Sequence, residues 1–209
     1  MSKISLKHSG GNVVSLNSPT SAPTSSDVAF KLPNADGTNG QVLKTDGSGN
    51  LSFGADSGGK ILQVIQDTKT DTQSIQSQSF VDISGLSVTI TPSATTSKIR
   101  IFYAISSCTQ AYAMFRLQRN GTDIFLGDAD GSRTQSTFTT ASMNQYEVPL
   151  SGGVYLDSPS STSALTYKFQ VATPDSSSSQ VFINRYKTDS NSNFVGRPTS
   201  VIIVEEVAA

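Results

Sequence analysis

The stretch ALTYKFQVA (164–172) alternates without a break, with Leu165, Tyr167, Phe169 and Val171 on one side and Thr166, Lys168 and Gln170 on the other. A β-strand turns successive side chains to opposite faces, so this pattern fits a half-buried strand and no element with a 3.6-residue period. SKIRIFYAIS (97–106) repeats the rule with Ile99, Ile101, Tyr103 and Ile105 on one face. Its other face carries Phe102 and Ala104, so that face is partly apolar and is expected to be covered by a neighbour. No long stretch of the chain shows a helical period, and the body from residue 60 onward is predicted to be all-β.

MFRLQRNGTDIFLG (114–127) joins two apolar runs through Asn120-Gly121, the dipeptide preferred by a type I′ hairpin because both central residues need positive φ. Further strands are expected in KILQVIQ (60–66), SFVDI (79–83), LSVTITP (86–92), QYEVPLSGGVYL (145–156) and SQVFINRY (179–186), with a last one in SVIIVEEVAA (200–209). The run Val201 to Val204 is apolar at every position, which predicts a central strand buried on both faces or one at a subunit interface. About eight to ten strands over this length suit a two-sheet sandwich, with a jelly roll preferred.

The first part of the chain reads differently. SLNSPTSAPTSSD (15–27) is too poor in apolar residues to offset its chain entropy by burial and is expected to be extended or disordered. VAFKL (28–32) is a short candidate strand. PNADGTNGQVLKTDGSGNLSF (33–53) sets the runs Gln41 to Leu43 and Leu51 to Phe53 among Asp-Gly, Asn-Gly and Gly-x-Gly turn signals, and GADSGGK (54–60) reads as a hinge. The expected division is therefore an arm (1–32), a turn-rich connector or shaft (33–59) and a β head (60–209). A lone copy of the connector buries almost nothing, which predicts that it draws contacts from other copies of the chain or from a larger particle.

Charged residues make up only 15% of the chain and the formal net charge is −1, with no basic patch interleaved with aromatics, which argues against a nucleic-acid partner. The N-terminal segment lacks the apolar run of a signal peptide and no stretch approaches the length of a membrane span, so the expectation is a soluble protein starting at Met1 and made in a cytosol, without membrane insertion. The single cysteine, Cys108, has no intrachain disulfide partner and reads as a small buried side chain.

Catalytic patterns are sparse. The one histidine, His8, lies beside Ser9 and two glycines in the arm, with nothing to orient it, so Ser-His-Asp and Cys-His sites are unsupported. Asp128 and Asp130 precede Gly131 and read either as a turn or as a fragment of a structural cation loop that lacks the distal glutamate. Glu205-Glu206 reads as a strand end, since a paired-carboxylate hydrolase needs a facing acid at defined separation. The glycine-rich connector matches neither a dinucleotide fingerprint nor a phosphate loop, and no cofactor or metal is expected. Asn120-Gly121-Thr122 is formally a glycosylation sequon, but its turn role explains it. Tyr112, Tyr155, Tyr186 and Phe194 read either as cross-strand packing or as platforms for sugars.

The segment LPNADGTNGQVLKTDGSGNLSF (32–53) resembles the Gly-Gln-Val-Leu-x-Thr-Asp-Gly-x-Gly-x-Leu-Ser-aromatic segment of fibre proteins of tailed bacteriophages, especially those of marine and cyanobacterial hosts. GLSVTITPSATTSKIRI (85–101), LDSPSSTSALTYKFQV (156–171) and SVIIVEEVAA (200–209) resemble the same group. The resemblance implies a non-enzymatic virion surface protein: an arm that docks on a tail or capsid protein, a short trimeric shaft, and a β head facing a host glycan or protein. A capsid decoration, head-fibre or adaptor protein without a receptor is the alternative it leaves open. The chain is short for a long tail fibre, and it lacks the repeats of a β-helical depolymerase. Under this reading the expected trimer contacts are Val42, Leu43, Leu51 and Phe53, facing a threefold axis, together with the doubly apolar positions Phe102, Val201 and Ile203.

Overall fold

A computed structural model describes residues 3–7, 9–11, 13–17, 21, 30–56, 61–141, 146–175 and 178–208, the first and third of these as backbone alone. Its strands are β1 (Lys3–Lys7), β2 (Val13–Asn17), β3 (Gln41–Thr45), β4 (Leu51–Ala55), β5 (Ile61–Lys69), β6 (Gln73–Ile75), β7 (Val81–Ile90), β8 (Lys98–Thr109), β9 (Tyr112–Arg119), β10 (Thr122–Ile124), β11 (Phe138–Ala141), β12 (Leu150–Asp157), β13 (Leu165–Ala172), β14 (Val181–Ile183) and β15 (Ser200–Val207). Among the described residues there is no helix. The chain divides into two compact units, Met1–Asp56 and Ser57–Ala209.

In the first unit β1 pairs antiparallel with β2 and β3 with β4. At the start of the segment expected to be extended or disordered, Ser15 to Asn17 are extended and paired, completing β2 against Lys3 to Ser5. The expected strand at 28–32 reduces, in its described part, to one parallel bridge between Lys31 and Asn50. Val28, Ala29 and His8, and residues 57–60 of the expected hinge, lie outside the described residues.

The second unit is a two-sheet sandwich. One sheet runs β5–β15–β8–β12, with β6 and β14 continuing the lines of β5 and β15 beside the second half of β8. The other runs β7–β13–β9, with β10 and β11 sharing the remaining edge of β9. All these pairs are antiparallel. Counting β5/β6, β10/β11 and β14/β15 as one position each gives eight strand positions, ordered 1-8-3-6 in one sheet and 2-7-4-5 in the other. Those two interleaved orders are the jelly roll expected from the sequence.

The alternation seen in the sequence is what fills the sandwich. Leu165, Tyr167, Phe169 and Val171 of β13 and Ile99, Ile101, Tyr103 and Ile105 of β8 are buried together in one core with Ile202 and Val204. At the hairpin between β9 and β10, Asn120 (φ 49°) and Gly121 (φ 82°) both adopt left-handed backbone, as a type I′ turn requires. Cys108 is buried, and burial pushes its thiol pKa up.

Three strand expectations change. SFVDI and LSVTITP are one strand, β7, bulged where its register on β13 shifts between Lys168 and Gln170. Amides freed from the ladder there are taken by side chains of the other sheet: Ser84 N–H donates to Gln73 Oε1 (3.0 Å) and Ser87 N–H to Asp67 Oδ2 (3.1 Å). SQVFINRY is strand only over β14. It ends at Asn184, whose φ of 58° turns the chain out and whose side-chain amide donates to the carbonyls of Lys69 (2.8 Å) and Asp71 (3.0 Å), at the interruption between β5 and β6. The side chain of Asn184 also accepts from Ser200 Oγ (2.6 Å), where β15 begins. Finally, β15 is central but not buried on both faces: Ile202 and Val204 point into the core, and Val201 and Ile203 are half-buried on the outer face.

Candidate assembly surfaces

The outer faces of the two sheets have opposite character. On the β7–β13–β9 sheet, Ser87 and Thr89 of β7, Thr166, Lys168 and Gln170 of β13 and Arg116 and Gln118 of β9 face outward. They bind one another there: Lys168 Nζ and Gln170 Nε2 both donate to Asp82 (2.7 Å each), and Thr89 meets Thr166 at 2.8 Å. This is the polar face that an antiparallel sheet normally turns to water.

The β5–β15–β8–β12 sheet does the reverse. Strand registers place Val154 beside Phe102, Phe102 beside Ile203, and Val201 beside Ala104, all on the outer face. The row extends to Leu150 and Leu156 on β12 and to Leu62 and Val64 on β5. Leu150 is 63% exposed, Val64 56%, and Val154 and Leu156 53% each. Its charged side chains are Arg100 and Glu205, side by side across β8 and β15 and bonded to each other (Nη2 to Oε2, 2.5 Å; Nε to Oε2, 2.7 Å), and Lys98 at the end of β8, whose Nζ donates to Ser158 Oγ (2.8 Å). The Arg100 guanidinium also lies over the Phe102 ring, 5.0 Å from its centroid.

Three sequence-predicted contact residues, Phe102, Val201 and Ile203, thus fall on one continuous face. Sequence reasoning missed Leu62, Val64, Leu150, Val154 and Leu156. A signal was there: VYL (154–156) and LQVIQ (62–66) carry apolar residues at both parities, as the region around Phe102 does.

The four residues expected from the connector do not share a face. Leu43 sits directly opposite Phe53, with Leu51 on the same side of the hairpin, but Val42 is opposite Gly54 and points the other way. A period of two forbids adjacent residues of one strand from lining one axis, so Val42 is corrected out of the set. Phe53 lies over Gly37, where an added Cβ would fall 2.7 Å from the ring. The tip from Thr45 to Asn50 is closed by Asp46, whose carboxylate accepts from the amides of Ser48 (2.7 Å) and Asn50 (3.1 Å) and from Asn50 Nδ2 (2.5 Å). The Asn50 side chain foremost, then the Ser48 amide, holds the Asp46 pKa below the ordinary carboxylate value.

The remaining titratable groups are engaged structurally. Asp130 pairs with Arg133 in a turn. Glu205 and Glu206 point to opposite faces; Glu206 is buried and accepts from Gln63 Nε2 (2.6 Å) and from both the amide (2.7 Å) and hydroxyl (2.6 Å) of Ser93. Burial alone would raise its pKa, but the bonds from Gln63, Ser93 and Ser97 outweigh that and hold it down at about 2. Between the sheets, the buried Asp157 of β12 accepts from Tyr167 Oη (2.6 Å) and twice from Arg119 Nη1 (2.9 and 2.7 Å). Burial, then the Asp157 carboxylate, drives the Tyr167 pKa far up. Among the described residues no cluster of three or more His, Cys, Asp or Glu side chains has the arrangement of a metal site. Of the aromatics considered as sugar platforms, Tyr155 stacks on Phe125 (4.6 Å between centroids) and Tyr186 is half-buried, whereas Tyr112 and Phe194 are exposed.

No family model matches the chain, and no curated protein matches it. Among solved structures it is similar to the VP2 subviral particle of infectious bursal disease virus (TM-score 0.34, 13% identity, 75% of this chain and 41% of that one). It is similar also to a structure of the Gx strain of the same virus (TM-score 0.35, 14% identity, 80% of this chain and 44% of that one). The chain spans less than half the length of either, and the jelly roll rests on its own strand order rather than on these distant likenesses.

Proposed function

We propose that the protein is a non-enzymatic structural component of a bacteriophage virion, displayed on the particle surface as a short homotrimeric fibre. Residues 1–32 dock on a tail or capsid protein, and the jelly-roll head engages a glycan or protein of the host surface. The observation that carries this reading is the joining of a jelly roll to a separate small unit whose β3–β4 hairpin is the fibre-like segment GQVLKTDGSGNLSF (40–53). Asp130, Glu205 and Glu206, three of the acids read from the sequence, each pair with a donor of this chain, which supports a structural role for them.

Purified full-length protein, added to host cells before phage, tests the reading. The fibre role is expected to give saturable binding to cells and a fall in plaque number, with no reducing sugar released from surface polysaccharide. Binding to fibre-depleted particles without binding to cells would replace it with the decoration or adaptor role, and binding to neither would overturn the virion assignment.

A further inference from the structure

We propose that the outer face of the β5–β15–β8–β12 sheet is the contact between jelly-roll heads, covered in the assembled protein by a second copy of this chain. The inference deepens the homo-oligomeric reading above by naming the surface that makes it.

Size comes first. The half-exposed side chains of this face leave roughly 600 Å² of apolar surface in one patch, at the upper end of what a soluble monomer exposes and close to one partner's share of a standard interface. The second sheet of the same sandwich shows that this is not a general property of the chain. Its outer positions over β7 and β13 are Asp, Ser, Thr, Lys and Gln, and on β9 Arg116 and Gln118 follow Tyr112 and Met114, so no apolar row crosses all the strands of that sheet.

Charge then selects the occupant. Arg100 and Glu205 pair within the face, and Lys98 at its end is held by Ser158 Oγ, so the face gathers no basic cluster for a polyanion or an anionic lipid surface. An apolar face carried by every copy can be buried between identical chains, and in a ring of three one part of the face meets a different part of its neighbour's. The patch also reaches the edge strand β12, whose Leu150, Val154 and Leu156 bring its apolar character to the rim of the head.

The test uses the full chain. The native mass of the wild type is expected at three times 22.0 kDa. Val154→Glu, which places a charge at an exposed site, is expected to give 22.0 kDa species with an unchanged far-ultraviolet circular dichroism spectrum. Thr89→Glu, on the polar face, is expected to stay assembled. Because the only native thiol is buried, Leu156→Cys adds a single accessible one. Its reaction with a maleimide is expected to be at least roughly tenfold slower in the assembled protein than in the Val154→Glu background.

A monomeric wild type, or an assembly that Val154→Glu leaves intact, overturns the inference. Should Val154→Glu fail to fold, the introduced thiol decides against its rate in a short unstructured peptide, and equal rates overturn the inference. A wild-type trimer with an openly reactive thiol removes this face while leaving the fibre reading in place. Loss of cell and particle binding with the face still protected removes the fibre reading and keeps the face.

Discussion

Glu206 is expected to make the stability of the head depend on pH in a defined window. Its carboxylate is buried at the end of β15 and accepts bonds from Ser93, through amide and hydroxyl, and from Gln63 and Ser97, which tie the last strand to β5 and to the loop that follows β7. The folded pKa is about 2 against an ordinary 4.5. A depressed folded pKa means that the unfolded chain takes up the proton first as pH falls. The contribution is therefore complete above pH 4.5 and is lost as pH falls through 4.5 towards 2. That fall in pKa corresponds to about 3 kcal/mol. Other carboxylates titrate in the same range, so the quantity to measure is the difference between wild type and Glu206→Gln, from urea unfolding at pH 6, 4, 3 and 2 and one protein concentration. The amide cannot accept the Ser93 and Gln63 donors in the same way and does not titrate. The wild type's advantage is expected to shrink by about 3 kcal/mol between pH 6 and pH 2. An advantage that stays constant over that range would refute the assignment of this carboxylate as a buried, hydrogen-bonded anion.

Three further substitutions probe other parts of the molecule. Gly153→Ala would place a Cβ 2.6 Å from Tyr103 Oη and 2.9 Å from its Cζ. Because that ring is held between Phe138 and Phe169, the urea unfolding free energy is expected to drop by about 1–3 kcal/mol. Tyr167→Phe removes the hydroxyl that donates to Asp157 and leaves a buried carboxylate one donor short, at a cost of about 1–3 kcal/mol in the same assay. Asp46→Ala opens the β3–β4 tip, and amide hydrogen exchange at Ser48 and Asn50 is expected to quicken roughly tenfold or more while amides of the jelly-roll core keep their rates.

Much of the jelly roll was legible because its strands are long and half-buried. β13 and β8 announce their core face residue by residue, and Asn120-Gly121 announces its turn, since left-handed backbone at two successive positions is a local requirement with a local sequence signature. What escaped was set at longer range. The bulge of β7 at Gly85 looked like a break between two strands because the side chains that satisfy it, Gln73 and Asp67, come from elsewhere in the chain. The short strands β6 and β11 have too few residues for a period to show, and β14 stops at Asn184 for a reason supplied by Lys69 and Asp71.

The apolar face illustrates the same limit and how far a sequence can go past it. Within one strand, apolar residues at both parities say only that two faces are dry; they do not say which strands lie side by side. Phe102 and the pair Val201 and Ile203 were each readable as doubly apolar, yet only the antiparallel register of β8 with β15 puts Phe102 next to Ile203, and only that of β8 with β12 adds Val154. The connector fails for the complementary reason. Val42 and Leu43 looked like one apolar run, and the period of two in β3 sends them to opposite sides, leaving Leu43, Leu51 and Phe53 as the side on which a hairpin with almost no interior of its own gathers its apolar residues. Runs of adjacent apolar residues therefore mark strands with apolar side chains on both faces, whereas the extent of the patch belongs to the register, which is why the apolar outer face of this sheet is a property of four strands together and of none alone.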